Sequence, residues 1–167
     1  EYIVLSAHLD HLGINDDGSV YNGADDDGSG TVALLEIAEA FKLAFEKGYG
    51  PKRSIVFIHF TGEEKGLLGS KFYTENPLYP LPQTIADLNI DMIGRINPKR
   101  NSDNPNYIYL IGSDKISMDL HNISEEINEK YTRLELDYTY NKENDPNRCY
   151  YRSDHYNFAK KNIPVIF

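Results

Sequence analysis

Cysteine is almost missing from this chain, with Cys149 standing alone. A single thiol excludes an internal disulfide framework and any cysteine cage around zinc. Basic residues are the scarcer charge. Seventeen Lys and Arg face 26 Asp and Glu, and the resulting −9 argues against a nucleic-acid binder, whose phosphates demand the opposite sign. No apolar run approaches the roughly 20 residues that a membrane-spanning helix needs. Internal repeats and low-complexity tracts are lacking too, and neither a starter methionine nor a targeting segment precedes the first apolar run.

What is present describes one globular domain, residues 1–167, a length comfortable for one domain and thin for two. A chain of this size buries roughly 70% of its unfolded surface, so a core forms without staples. Hydrophobic residues at 40% and charged residues at 26% are ordinary values. Residue 1 leads straight into the apolar run Tyr2 to Leu5, and Pro164 to Phe167 reads as a strand stopped in its middle. The expectation is a core cut from a longer protein at both ends.

Tyr2 to Ala7 is continuously apolar, the pattern of a strand buried on both faces. Further strands are expected over Ser54–Phe60, Thr84–Ile90, Tyr107–Ile111 and Leu134–Tyr140, with Pro164–Phe167 last. Helical spacing begins at Thr31 through Val32, Leu35, Ala38, Phe41 and Phe45, and Gly48 supplies the stop. Gly66–Tyr73, Ile116–Tyr131 and Ser153–Lys161 predict three more helices, and Asp16–Gly30 a turn-rich loop. Strands and helices taking turns indicate an α/β fold, a mostly parallel central sheet flanked by helices.

Three of these strands end in groups able to bind metal or move protons. The first is followed by His8-Leu9-Asp10, the second by Thr61-Gly62-Glu63-Glu64 and the third by Asp91. Ligands of open parallel sheets bind outside the carboxyl ends of the strands, so these groups converge on one rim. Five aspartates fall between Asp16 and Asp27, and the last of them, Asp25 to Asp27, open the helix that follows the first strand and reach the same rim. Imidazole with carboxylates suits zinc or a similar divalent ion. Two such ions about 3.5–4 Å apart need a bridging carboxylate and can activate a shared water. Glu63 and Glu64 are neighbours that point apart, so one suits a ligand and the other a general base. Asp10 is placed to accept the second N–H of His8 and fix its tautomer.

The segments SAHLDHLG, YNGADDDGSG, TGEEKGLLGS, LNIDMIGR and YRSDHYNF, spanning His8 to Phe158 in order, resemble the family-28 zinc metallopeptidases. That family includes bacterial leucyl aminopeptidases and glutamate carboxypeptidase II. The resemblance implies a three-layer zinc-exopeptidase fold and a co-catalytic zinc pair. It also implies a peptide substrate with a free amino terminus or, in some members, a carboxyl terminus. Carried over, His8 and Asp91 hold one zinc, Glu64 the other, and Asp26 bridges them; Glu63 is the general base and Asp10 orients His8. A cis peptide between Asp26 and Asp27 is implied as well.

In the family a further histidine completes the second zinc's ligands, and it lies beyond the point where this sequence stops. The expectation for this chain alone is therefore one zinc or none, with its own activity left open. His155 falls near the site without a ligand's usual place, and His11 is expected beside the ligands or at the surface. Tyr150 and Tyr151 line the pocket or simply pack. His59 and His121 are expected to be structural. The resemblance implies an extracytoplasmic location, as in many bacterial members, and leaves oligomeric state open. Two rivals stay in view: a single-zinc acyltransferase like the glutaminyl cyclases, and a non-catalytic receptor domain on the same fold.

Overall fold

The computed structural model describes residues 1–100 and 102–167. In chain order the first half contains β1 (Tyr2–His8), β2 (Gly13–Ile14), β3 (Val20–Tyr21), α1 (Gly28–Glu46), β4 (Ser54–Phe60), α2 (Leu68–Glu75) and β5 (Thr84–Asn89). The second half adds β6 (Tyr107–Tyr109), α3 (Met118–Ile127), β7 (Glu135–Asp137), α4 (His155–Ala159) and β8 (Val165–Ile166). No helix of the described residues is long and apolar enough to cross a membrane.

The central sheet runs β4-β1-β5-β8 with every neighbour parallel. Interior β1 pairs on both edges and carries helices on both faces, so Val4 through His8 are all buried. This explains its unbroken apolar run, which a strand wet on one face would not need. The pleat divides its side chains. Leu5 and Ala7 join Leu34, Ile37 and Phe41 of α1 on one face. Val4 packs with Phe60, Phe158 and Val165 on the other, where Tyr73 of α2 also contributes. Burying a side chain such as Phe158, which has no exposed surface, stabilises the fold by about 1.5–3 kcal/mol. Three layers result: α1, the sheet, then α2 with α4.

The structure departs from expectation away from this sheet. Tyr107–Tyr109 leaves the central sheet and pairs in parallel with β7, itself shorter than Leu134–Tyr140. Arg100 holds that pair together through Glu135 and Asp137, with its guanidinium over the Tyr107 ring. The helix expected over Ile116–Tyr131 is α-helical to Ile127 and widens to a π turn over Asn128–Thr132. There the Asn128 side chain binds both the N–H and the carbonyl of Leu134 and turns the chain toward β7. A small hairpin, β2–β3, forms where β2 precedes the turn-rich loop and β3 lies within it, and α1 begins earlier than expected, at Gly28.

Parallel pairing puts the carboxyl ends of β1, β4 and β5 on one rim. The ladder continues just past them, through Leu9 N–H to the Phe60 carbonyl and Ile90 N–H to the Ser6 carbonyl. The residues that follow each strand are thereby held at a fixed height beside one another.

Candidate metal centre

His8, the last residue of β1, shares the parity of Val4 and Ser6 and is buried at the rim. Its Nε2 lies 3.1 Å from Asp26 Oδ1, 3.8 Å from Asp91 Oδ2 and 3.9 Å from Glu63 Oε2. Four segments distant in sequence thus meet at one imidazole. Its Nδ1 is 3.0 Å from the main-chain carbonyl of Asp10. The orienting contact expected from the Asp10 carboxylate is made by that residue's backbone, with the carboxylate itself 3.7 Å away. The carboxylate is drawn elsewhere: its two oxygens accept the N–H groups of Glu63 and Glu64 at 3.1 and 3.3 Å. Asp10 therefore clamps the turn after β4, and from that turn Glu63 faces His8 while Glu64 faces His11.

Donor atoms fall into two groups, each within 4.8 Å: His8 with Asp27 and Asp91, and His11 with Asp26 and Glu64. Asp27 belongs to the first group by distance, but its oxygens are already engaged. They accept N–H groups from His8 at 3.2 Å, Gly30 at 2.9 Å and Met92 at 3.2 Å, joining β1, the start of α1 and the loop after β5. Gly30 permits this approach, because a Cβ there would sit 2.5 Å from both Asp27 Oδ1 and the Ile90 carbonyl. Asp26, joined to Asp27 by a cis peptide, keeps its carboxylate toward His8 and so stands between the groups.

Asp91 is fixed from behind. The Ser153 hydroxyl donates to its Oδ2 at 2.8 Å and accepts from the Asn89 side chain at 2.7 Å. Asn89 and Ser153 lie within the segments LNIDMIGR and YRSDHYNF but were given no role there, since serine and asparagine carry no metal-ligand pattern of their own. His155 stays out of both groups. It is fully buried, with Nε2 2.8 Å from the Tyr150 carbonyl and its ring stacked on Phe167. Tyr150 packs on His155, while Tyr151 is partly exposed. His59 meets the Thr31 carbonyl and His121 the Ser113 hydroxyl, and neither belongs to a donor group.

The site is strained electrostatically. Burial pushes the Glu63 carboxyl up to about 8, with Asp91, Asp154 and Glu64 adding repulsion and His8 opposing. Burial likewise lifts Asp27 to about 7, Asp154 to about 6, and Asp91 above its usual range. Burial alone would lower His8, but Asp26, Asp91 and Glu63 outweigh it and raise the imidazole to about 10. Such a cluster calls for bound positive charge.

One feature tests the fit to a cation directly. Asp91 Oδ1 is shielded from solvent with no hydrogen-bond partner among the described residues, while His8 Nε2 and the pair His11 Nδ1 and Glu64 Oε1, equally shielded, meet only other atoms of this cluster. Buried polar atoms are normally paired. These four belong to the two donor groups, and their chemistry, imidazole nitrogen with carboxylate oxygen, is that of a zinc site.

The sequence profile of peptidase family M28 matches residues 1–167, the whole chain. The chain belongs to peptidase family M28. It is 41% identical over 91 residues to a probable glutamate carboxypeptidase, VP8 of Zea mays, covering 54% of this chain and 12% of that protein. A probable zinc metalloprotease of Pyrenophora tritici-repentis is 36% identical over 88 residues, covering 53% and 19%. The solved Legionella pneumophila LapA aminopeptidase aligns with a TM-score of 0.69 at 28% identity, covering 99% of this chain and 39% of that one. The Porphyromonas gingivalis glutaminyl cyclase shares the fold, with a TM-score of 0.67 at 21% identity, covering 99% and 57%. The chain thus spans a fifth or less of these curated relatives and about two-fifths of LapA. M28 membership makes this the fold of a zinc peptidase, and the clustered donors fit that ion.

Proposed function

We propose that the chain is the core of a co-catalytic di-zinc aminopeptidase, removing the amino-terminal residue of peptides. The observation carrying this reading is one carboxylate, Asp26, standing between two donor groups with Glu63 beside it. In this reading His8 and Asp91 hold one zinc, Glu64 the other, and Asp26 both. Zinc there supplies Lewis acidity that polarises the scissile carbonyl and eases deprotonation of water.

The chain's own residues do the rest. Glu63 Oε2 takes the proton from the attacking water and returns it to the departing amine nitrogen. Asp10 holds Glu63 in place through the backbone of the turn, and Ser153 holds Asp91. The reading takes the amino-terminal residue, not the carboxyl-terminal one, as the residue removed. LapA, an aminopeptidase by name, supports the same choice.

Glu63→Gln in the full-length protein tests the reading. It preserves shape and the backbone contacts to Asp10, and should lower turnover about 10²–10⁴-fold with zinc retained. Wild-type turnover in that variant would remove the proposed base. Aminoacyl and acyl-glutamate substrates assayed side by side separate the two ends of the peptide. Counting zinc separates hydrolysis at two ions from acyl transfer at one.

A further inference from the structure

We propose that Ser6 and Asn89 are positioning residues for Asp91, acting through Ser153 in a one-way hydrogen-bond chain whose far end, Asp87, is a neutral carboxylic acid. The inference rests on the reading above, in which Asp91 holds zinc, and extends from that ligand into the sheet.

β5 pairs with β1 so that Asp87 is level with Val4 and Asn89 with Ser6, and alternation turns these side chains to the face that α2 and α4 cover. Ser6, Asp87, Asn89 and Ser153 are all buried there. Ser6 Oγ lies 2.9 Å from Asp87 Oδ1 and 2.8 Å from Asn89 Oδ1. Asn89 Nδ2 donates to Ser153 Oγ at 2.7 Å, and Ser153 Oγ donates to Asp91 Oδ2 at 2.8 Å. Two hydroxyls and an amide thus join a carboxyl group at either end.

These four contacts need four protons, of which the two hydroxyls and the amide supply one each. The remaining proton comes from a carboxyl group at one end. Turning the amide over does not remove the deficit; it moves it from Ser6 to Ser153, which would then face two acceptors. An Asp91 that holds a cation is ionised, so the proton belongs to Asp87. Asp87 then donates to Ser6, Ser6 to Asn89, Asn89 to Ser153 and Ser153 to Asp91. The surroundings of Asp87 agree. Its Oδ2 is shielded and unpartnered among the described residues, and the titratable groups facing it, Asp154 and Tyr73, bring no positive charge. Burial holds its carboxyl well above the usual range. At the rim, Ser153 accepts from Asn89 and so spends its own proton on Asp91 Oδ2, which leaves the unpartnered Oδ1 for the ion.

Zinc calorimetry and infrared difference spectra of the full-length protein test the chain. Asn89→Leu, close in volume, should weaken one zinc roughly tenfold, and Ser6→Ala, a smaller change, should act in the same direction. Added to Ser153→Ala, Asn89→Leu should cost no more than about twofold further, because its route to Asp91 is already cut. Asp87→Asn keeps an N–H for Ser6 and should hold zinc within about twofold of the unmodified protein. Near neutral pH the zinc-loaded, unmodified protein should show the carbonyl stretch of a protonated carboxyl that Asp87→Asn lacks. Absence of that band, unchanged affinity in Asn89→Leu, or independent losses in the double variant would each overturn the proposal. Asp91→Ala separates the chain from the reading beneath it. Zinc binding intact in that variant removes both, whereas an ion lost there but held at full affinity in Asn89→Leu removes the chain alone.

Discussion

Removing zinc should invert the way stability depends on pH. In the metal-free chain the folded state raises Glu63 from 4.5 to about 8, Asp27 from 3.8 to about 7, and His8 from 6.5 to about 10. For the two carboxyls burial is the main cause; for His8 the surrounding carboxylates overcome burial. All three folded values lie above the unfolded ones, so the folded chain keeps protons that the unfolded chain has released. Glu63 does so between pH 4.5 and 8, Asp27 between 3.8 and 7, and His8 between 6.5 and 10. Stability present at the low end of each window is lost as pH rises through it.

The three neighbours share this effect through their mutual contacts. Taking one extra proton for the set gives a slope of about −1.4 kcal/mol per pH unit, or ~2 kcal/mol lost from pH 7 to 8.5. That is a sizeable part of the roughly 5–15 kcal/mol typical of a folded domain. Zinc works the other way, because its donors must shed protons to bind it. At a hundredfold excess over its dissociation constant, each ion adds about 2.7 kcal/mol, and that excess is easier to reach as pH rises. His155, buried as neutral imidazole with its value lowered to about 3, withdraws stability only as pH falls below 6.5, so measurements above pH 7 avoid it. Urea unfolding at pH 7, 7.75 and 8.5, in chelator and in zinc, should give a falling line and a level or rising one. Parallel lines, or metal-free stability that rises with pH, would refute the reasoning.

Two further outcomes concern the supports of the site. Asp27→Ala strips the buried His8 and Gly30 N–H groups of their acceptor and should cost about 3 kcal/mol in chelator, read as a lower urea midpoint, with Asp27→Asn losing less. Ser153→Ala leaves Asp91 free to turn and should weaken one zinc about 10–100-fold by calorimetry, with the urea midpoint in chelator shifted far less.

Much of this site was legible before any coordinates. β1, β4 and β5 declare themselves because a strand sandwiched between helix layers is apolar at nearly every position, a pattern that survives without knowledge of its partners. Parallel strands then require that His8, Glu63, Glu64 and Asp91 share a rim, and the structure puts His8 within 4 Å of Asp26, Glu63 and Asp91. The strand over Tyr107–Tyr109 was equally visible as a strand, but its partner was not: pairing with β7 depends on Arg100 and on the bend at Asn128, both remote in sequence.

Element types and the chemistry at each strand end were thus determined by the sequence itself, because they follow from local periodicity and residue kind. Tertiary structure decided what each carboxylate and imidazole faces. Asp26 and Asp27 are adjacent and chemically identical, yet one meets three backbone N–H groups and the other meets His8. His11 and His155 are equally plausible ligands as letters, but one points at Glu64 and the other is sealed against Phe167. The physical reason is that hydrogen bonds and coordination act over about 2–4 Å through space, a distance that spacing along the chain does not encode.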